Sequence, residues 1–273
     1  MHTLESAEPP QPDLSELGHE LLLTTPAQRR LALARPFLGL LACGLAAYAG
    51  WWWLTPFLVF LVFVGVVTVT HDVVHGSLGL NRRQTDWALF WLGAVLLESG
   101  HAYRLTHTQH HRVFPGEDDP EGDPARMTFW QSVLYGPLFL PRLWWWAYRR
   151  TRGDARQRRW LLAEAAWAVA VAIFGVVLWP VTPAVLVYVV LVVVGSWTYA
   201  LLTVHLPHRS YGETPLTQTH TLRGRIIPAL FLELTYHLEH HLYPQVPSHN
   251  LAELSRRLTP YFEQAGVEPR RVP

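Results

Sequence analysis

Eight of the fifteen histidines fall into three tight clusters: His71-Asp72-Val73-Val74-His75, His107-Thr108-Gln109-His110-His111 and His237-Leu238-Glu239-His240-His241. Residues three and four apart share one face of a helix, so each cluster can turn two or three imidazoles toward one centre. Two separate His-x-x-His-His patterns arise by chance in about one chain in a thousand of this histidine content. The set therefore reads as metal ligands, whereas His2, His19, His249, His101 and His220 lie outside any such pattern. Imidazole suits Zn, Cu, Fe and Ni, so ligand type alone leaves the metal open. The count says more, because eight rings exceed the roughly four that one zinc takes. The His-Glu-x-x-His pattern of zinc proteases is absent, since His19-Glu20 has no second histidine in place. Haem would use single rings on facing helices, and an adjacent pair such as His110-His111 cannot serve one buried porphyrin. Two metals are implied.

The elements that position these rings are apolar and long. Half of the 273 residues are hydrophobic and only 16% are charged, which argues against a soluble enzyme. An uncharged stretch from Ala165 to Val204 is long enough for two bilayer crossings of about 20 residues each. One helical hairpin follows Arg29, Arg30 and Arg35 and runs to Thr70, broken between Gly50 and Pro56. A second runs from Trp160 to Val204, with its turn at Trp179–Pro183. Neither turn is charged, while arginines crowd the opposite ends, from Arg82, Arg83, Arg104 and Arg112 to the Arg149–Arg159 loop and Arg209, Arg223 and Arg225. The positive-inside rule then puts both termini and the active site in the cytoplasm. Three apolar pieces, Trp87–Leu97, Phe129–Trp146 and Ile226–Leu234, are too short or too interrupted to cross and read as interfacial helices. A final amphipathic helix follows Asn250, a candidate N-cap. The expected fold is an all-α integral membrane protein: four transmembrane helices in two hairpins under a cytoplasmic cap of interfacial helices carrying the histidines. Residues 1–30 form an acidic, Pro-bearing cytoplasmic tail without a signal peptide, and residues 31–273 one membrane domain. The lone Cys43 excludes a disulfide scaffold, and a net charge of +1 gives no nucleic-acid footprint.

In order and spacing, from Thr70 to Leu258, the three clusters resemble the histidine boxes of the membrane fatty acid desaturase and carotenoid oxygenase superfamily. The resemblance implies two non-haem Fe ions that activate O2 and remove hydrogen from an unactivated C–H bond. It implies His71, His75, His107, His110, His111, His237, His240 and His241 as ligands. His205 matches the histidine of an Asn-x-x-x-His element in acyl-CoA desaturases, although Leu201 stands where the Asn would be, and is a candidate ninth ligand. Carboxylates should orient the ring N–H groups. Asp72 and Glu239, inside the boxes, are the first candidates; Glu98, Asp118, Asp119, Glu121, Asp123 and Glu233 come after them, because an acidic run is more often a solvated loop.

The expected activity is O2-dependent oxidation of a long-chain lipid, in the first place fatty acyl desaturation. The alternative is a carotenoid ring ketolase or hydroxylase. Leu206-Pro207-His208-Arg209 and His240-His241-Leu-Tyr-Pro-Gln-Val-Pro look similar to ketolase segments, whereas the acidic loop Asp118–Pro124 does not. A reading from another class is a membrane protein that stores or senses metal without catalysis. No dinucleotide fingerprint or fused haem domain is present, so a separate electron donor, a ferredoxin or a cytochrome b5-type protein, is implied.

Overall fold

The computed structural model describes residues 10–273, so His2, Glu5, Glu8 and Pro9 of the expected tail lie outside the described residues. A short helix, α1 (Leu14–Leu17), leads into α2 (Pro26–Tyr48) and α3 (Thr55–Val74); α4 (Arg82–Leu96) and α5 (Gly100–Val113) follow. Next come α6 (Phe129–Arg150), α7 (Ala155–Leu178) and α8 (Ala184–Ser196). The chain then widens into a π-helical segment, Ala200–His205, continued by α9 (Leu206–His208). The chain closes with α10 (Ile226–Phe231), α11 (His237–Leu242) and α12 (Leu251–Gln264).

Local sequence explains the starts. Thr25, Asn81 and Thr128 each accept from a backbone N–H three residues on, and Gln28, Gln84 and Gln131 reciprocate, forming three capping boxes. Four helical stretches are long and apolar enough to cross a membrane: Pro26–Tyr48, Trp52–Val74, Ala155–Leu178 and Ala184–His208. They are not equivalent, for 72% of the apolar window in the second is buried inside the protein, against 17% in the first and third and 22% in the fourth. The helix α3 is thus the central post, and the others turn Leu38, Leu41, Leu45, Ile173, Val176 and Val177 outward. Exposed apolar surface on this scale suits lipid and not water.

Consecutive helices pack in pairs, α2 on α3 and α7 on α8, while α6 lies along the segment after α8. Gly136 permits that last contact, since a Cβ there would collide with the Trp197 carbonyl oxygen. The segments read as interfacial form real helices: Phe129–Arg150 runs through Pro137 and Pro141 without a break. One expectation needs correcting. Asn250 precedes α12 but does not cap it; its side-chain amide donates instead to the carbonyls of Leu21 and Leu23. Leu17 and Leu21 are buried against Leu251, Leu254 and Leu258, so the end of the acidic segment is packed onto α12. Amphipathic pattern, not charge, decided that placement.

Candidate metal centre

The ends of α3, α5, α9 and α11 meet at one level, and with them the histidines. Two groups form, in each of which one ligand atom per residue lies within 4.8 Å of every other: His71, His75, His107, His111 and His240, and separately His110, His208 and His241. His237 joins the second group through His208, their Nε2 atoms 3.0 Å apart. His111 and His241 stand between the groups with ring centroids 4.3 Å apart. Helical spacing accounts for the boxes, since His71 and the C-cap residue His75 are one turn apart at the end of α3, as are His107 and His111 on α5.

His205 behaves differently. Its Nδ1 donates to the Pro124 carbonyl at 3.0 Å, its Nε2 is buried with no hydrogen-bond partner, and it falls in neither group. His208, three residues on, lies in the second group. The π-helical turn from Ala200 to His205 explains the difference, for a wider turn rotates everything after it relative to a regular α-helix. The Pro207 carbonyl then accepts from His220 N–H and the Thr219 hydroxyl, holding the turn in place.

The orienting carboxylates also differ from the first candidates. His107 Nδ1 meets Glu121 Oε2 at 3.1 Å, and His110 Nδ1 meets Asp119 Oδ2 at 2.7 Å. Glu121 further accepts from Thr106 and from nothing charged. Asp119 and Glu121 are 4% and 5% exposed, so this acidic loop is folded over the rings and not solvated. Asp72 instead accepts from the backbone and hydroxyl of Ser248, and Glu239 from Thr221 and Ser255. Neither touches a ring among the described residues. Both are immediate neighbours of a ligand candidate, and adjacent residues on a helix point about 100° apart. They tie the segments together; Asp119 and Glu121 set the rings.

These contacts fix tautomers. His107 and His110 donate Nδ1–H to carboxylates, and His208 donates Nδ1–H to the Gln218 carbonyl at 2.9 Å, which leaves the Nε2 lone pairs facing inward. There they meet each other: His107 and His111 at 3.1 Å, His111 and His240 at 2.9 Å. The Nε2 atoms of His75 and His241 are buried with no hydrogen-bond partner. Imidazole nitrogens gathered this closely in a buried site form a donor set that suits a shared cation. The spacing fits as well, because cis ligands at a metal–N distance of about 2.1 Å stand about 3 Å apart. Burial, with neighbouring rings adding to it, holds His107, His111, His240 and His241 well below the usual imidazole range; burial alone takes His75 to about 4, and His237 is lowered to about 3. His110 is the exception: burial works against its charge, but the hydrogen bond and charge of Asp119 raise it. At neutral pH the other rings are neutral, the form that binds metal. Asp119→Asn and Glu121→Gln should each weaken metal binding by about 10- to 100-fold in a chelator competition; unchanged retention in both would contradict their orienting role.

A cavity of about 420 Å³ lies beside the centre, walled largely by apolar residues of α3, α4, α6, α7 and α8. A smaller pocket of about 50 Å³ reaches His71, His107, His110 and His237. Val67, Tyr103, Glu121, Tyr199 and Thr203 line both, so they form a neck between the apolar chamber and the rings. Tyr103 stacks on His107 with centroids 4.8 Å apart. The sequence carries no local signal for this neck, whose residues come from four separate stretches of chain.

Residues 49–272 match the family described as fatty acid desaturase. A β-carotene ketolase of Paracoccus sp. (strain N81106 / MBIC 01143) is 30% identical over 230 residues, covering 79% of this chain and 78% of that protein. Dihydrorhizobitoxine desaturase of Bradyrhizobium elkanii is 24% identical over 259 residues, 79% of this chain and 70% of the relative. The sn-1 oleoyl-lipid 12-desaturase of Arthrospira platensis is 26% identical over 261 residues, with 80% and 70% covered.

Proposed function

The chain belongs to the fatty acid desaturase family, and we propose that it is a membrane oxidoreductase using O2, two non-haem irons and a separate ferredoxin or cytochrome b5-type donor to oxidise a C–H bond of a long apolar lipid. The observation that carries this reading is the convergence of nine inward-facing imidazoles, with no thiolate, beside an apolar cavity open among the spans. When bound, the di-iron pair supplies the O2 chemistry that breaks an unactivated C–H bond. His71, His75, His107, His111 and His240 would hold one ion; His110, His208, His237 and His241 would hold the other. Asp119 and Glu121 keep Nδ1–H donated outward, so that the rings stay oriented when the site is loaded. The apolar chamber binds the lipid and excludes water, and the neck at Tyr103 and Tyr199 brings its reacting carbon to the rings. The arginine distribution supports a cytoplasmic centre, where electrons arrive.

For the substrate, a carotenoid-type end ring is the better supported reading. His208, inside Leu206-Pro207-His208-Arg209, stands in the metal cluster, and the relative at 30% identity is a β-carotene ketolase. Acyl desaturation is the second reading, favoured by two desaturases among the relatives. Expression in a host that makes both ordinary phospholipids and β-carotene separates the two. The expected result is oxygenated carotenoid with an unaltered acyl profile. New unsaturated fatty acids with unchanged pigment would establish the second reading, and no change in either class would contradict lipid oxidation.

A further inference from the structure

The chamber is apolar over most of its wall, yet it contains a carboxyl that the chemistry above does not use. Glu98 follows α4, where Leu97 ends the helix at φ 56°, a backbone conformation costly for a branched side chain, and the turn carries Glu98 to the cavity wall. The Tyr199 hydroxyl donates to Glu98 Oε2 at 2.8 Å. The other carboxyl oxygen makes no hydrogen bond among the described residues. Glu164 and Ser99 line the same cavity but satisfy each other, and Glu164 also holds His101 Nδ1 at 2.7 Å, so they offer a ligand nothing. Burial pushes the Glu98 carboxyl up to about 8, against the opposing hydrogen bond from Tyr199. At neutral pH it is a neutral acid. With Oε2 already accepting from Tyr199, the proton belongs on the free oxygen, which makes that atom a donor facing the chamber. A plain hydrocarbon gives such a donor no partner, and an unpartnered polar group in apolar surroundings is costly.

We propose that Glu98 and Tyr199 form a recognition site for a neutral oxygen function, a hydroxyl or carbonyl carried on an otherwise apolar lipid, held in the chamber while another part of the molecule reaches the histidines. The proposal rests on the reading of this chamber as the lipid's place. It makes Glu98 a selector among lipids of one skeleton, favouring a molecule that already bears oxygen over its unoxidised parent. The reaction that supplies the preferred substrate is then itself an oxygenation or hydration of the same lipid.

Equilibrium binding to the detergent-solubilised full chain tests this with two pairs of probes that differ only in hydroxyl groups: β-carotene with zeaxanthin, and stearoyl with 12-hydroxystearoyl phosphatidylglycerol. In at least one pair the hydroxylated member should bind about five- to tenfold more tightly, the worth of one or two hydrogen bonds. Glu98→Leu should erase that preference while still binding the unhydroxylated member, which reports an intact chamber. Glu98→Gln, which keeps an N–H donor in the same shape, should retain most of it. Equal binding within both pairs by wild type, or a preference that survives Glu98→Leu, would overturn the site. Because binding is read without turnover, a preference in a protein that oxidises neither lipid would count against the proposed oxidation alone, and turnover without a preference against Glu98 alone.

Discussion

Replacement of His240 by alanine should lower the iron content from about two to about one per chain and abolish lipid oxidation. His240 sits at the crowded middle of its group: its Nε2 is 2.9 Å from that of His111, and its ring centroid 3.8 Å from that of His71. Removing it deletes one ligand and opens a gap that the remaining four rings, fixed on two helices, cannot close. His111→Ala should act alike, since that ring contacts His75, His107 and His240 within its group and His241 across the gap. Metal analysis of the purified variants, alongside product analysis in the expression host, checks both parts. A His240→Ala protein that turns over normally would end the metal assignment. Neither substitution should unfold the chain, because most of the buried apolar core consists of valine, leucine and phenylalanine side chains of α3 and α4.

The second large effect separates two histidines three residues apart. His208→Ala should lose iron and activity as severely as His240→Ala, for its Nε2 faces His237 at 3.0 Å and its ring lies 5.0 Å from that of His110. His205→Ala should keep its iron. Its Nδ1 donates to the Pro124 carbonyl, so its loss removes a hydrogen bond that steadies the acidic loop and costs about 1 kcal/mol of stability. The expected signature is a modest fall in melting temperature with full metal content. Equal loss of iron in the two variants would put His205 back among the ligands, and full iron in His208→Ala would remove His208 from them.

That pair also shows where the sequence was legible and where it was not. The three boxes could be read because three- and four-residue spacing on a regular helix has a single geometric meaning, and all eight boxed histidines do converge. At His205 a π-helical turn shifts the register, and the chain carries no local mark of it beyond Pro207. Long apolar runs announced the four candidate spans, because a membrane imposes length and composition together. They did not announce that α3 would be central and the others peripheral, which depends on packing partners far away in sequence. The acidic loop after the second box looked like solvated charge, and only its fold over α5 turns Asp119 and Glu121 into partners of His110 and His107. Asp72 and Glu239 attracted notice by lying inside the boxes, yet the angular offset that makes neighbouring histidines useful at three and four residues sends an adjacent carboxylate away. The chamber and its neck draw on residues from Val66 to Thr203, and no periodicity connects them.

The central claim is that these imidazoles form two sites and that both hold iron. Metal content of turnover-competent, full-length protein, purified in detergent without added metal and measured by elemental analysis against protein concentration, tests it most directly. The expected result is about two irons per chain with negligible zinc, copper or nickel. Full activity with stoichiometric zinc, or with a single iron per chain, would contradict it.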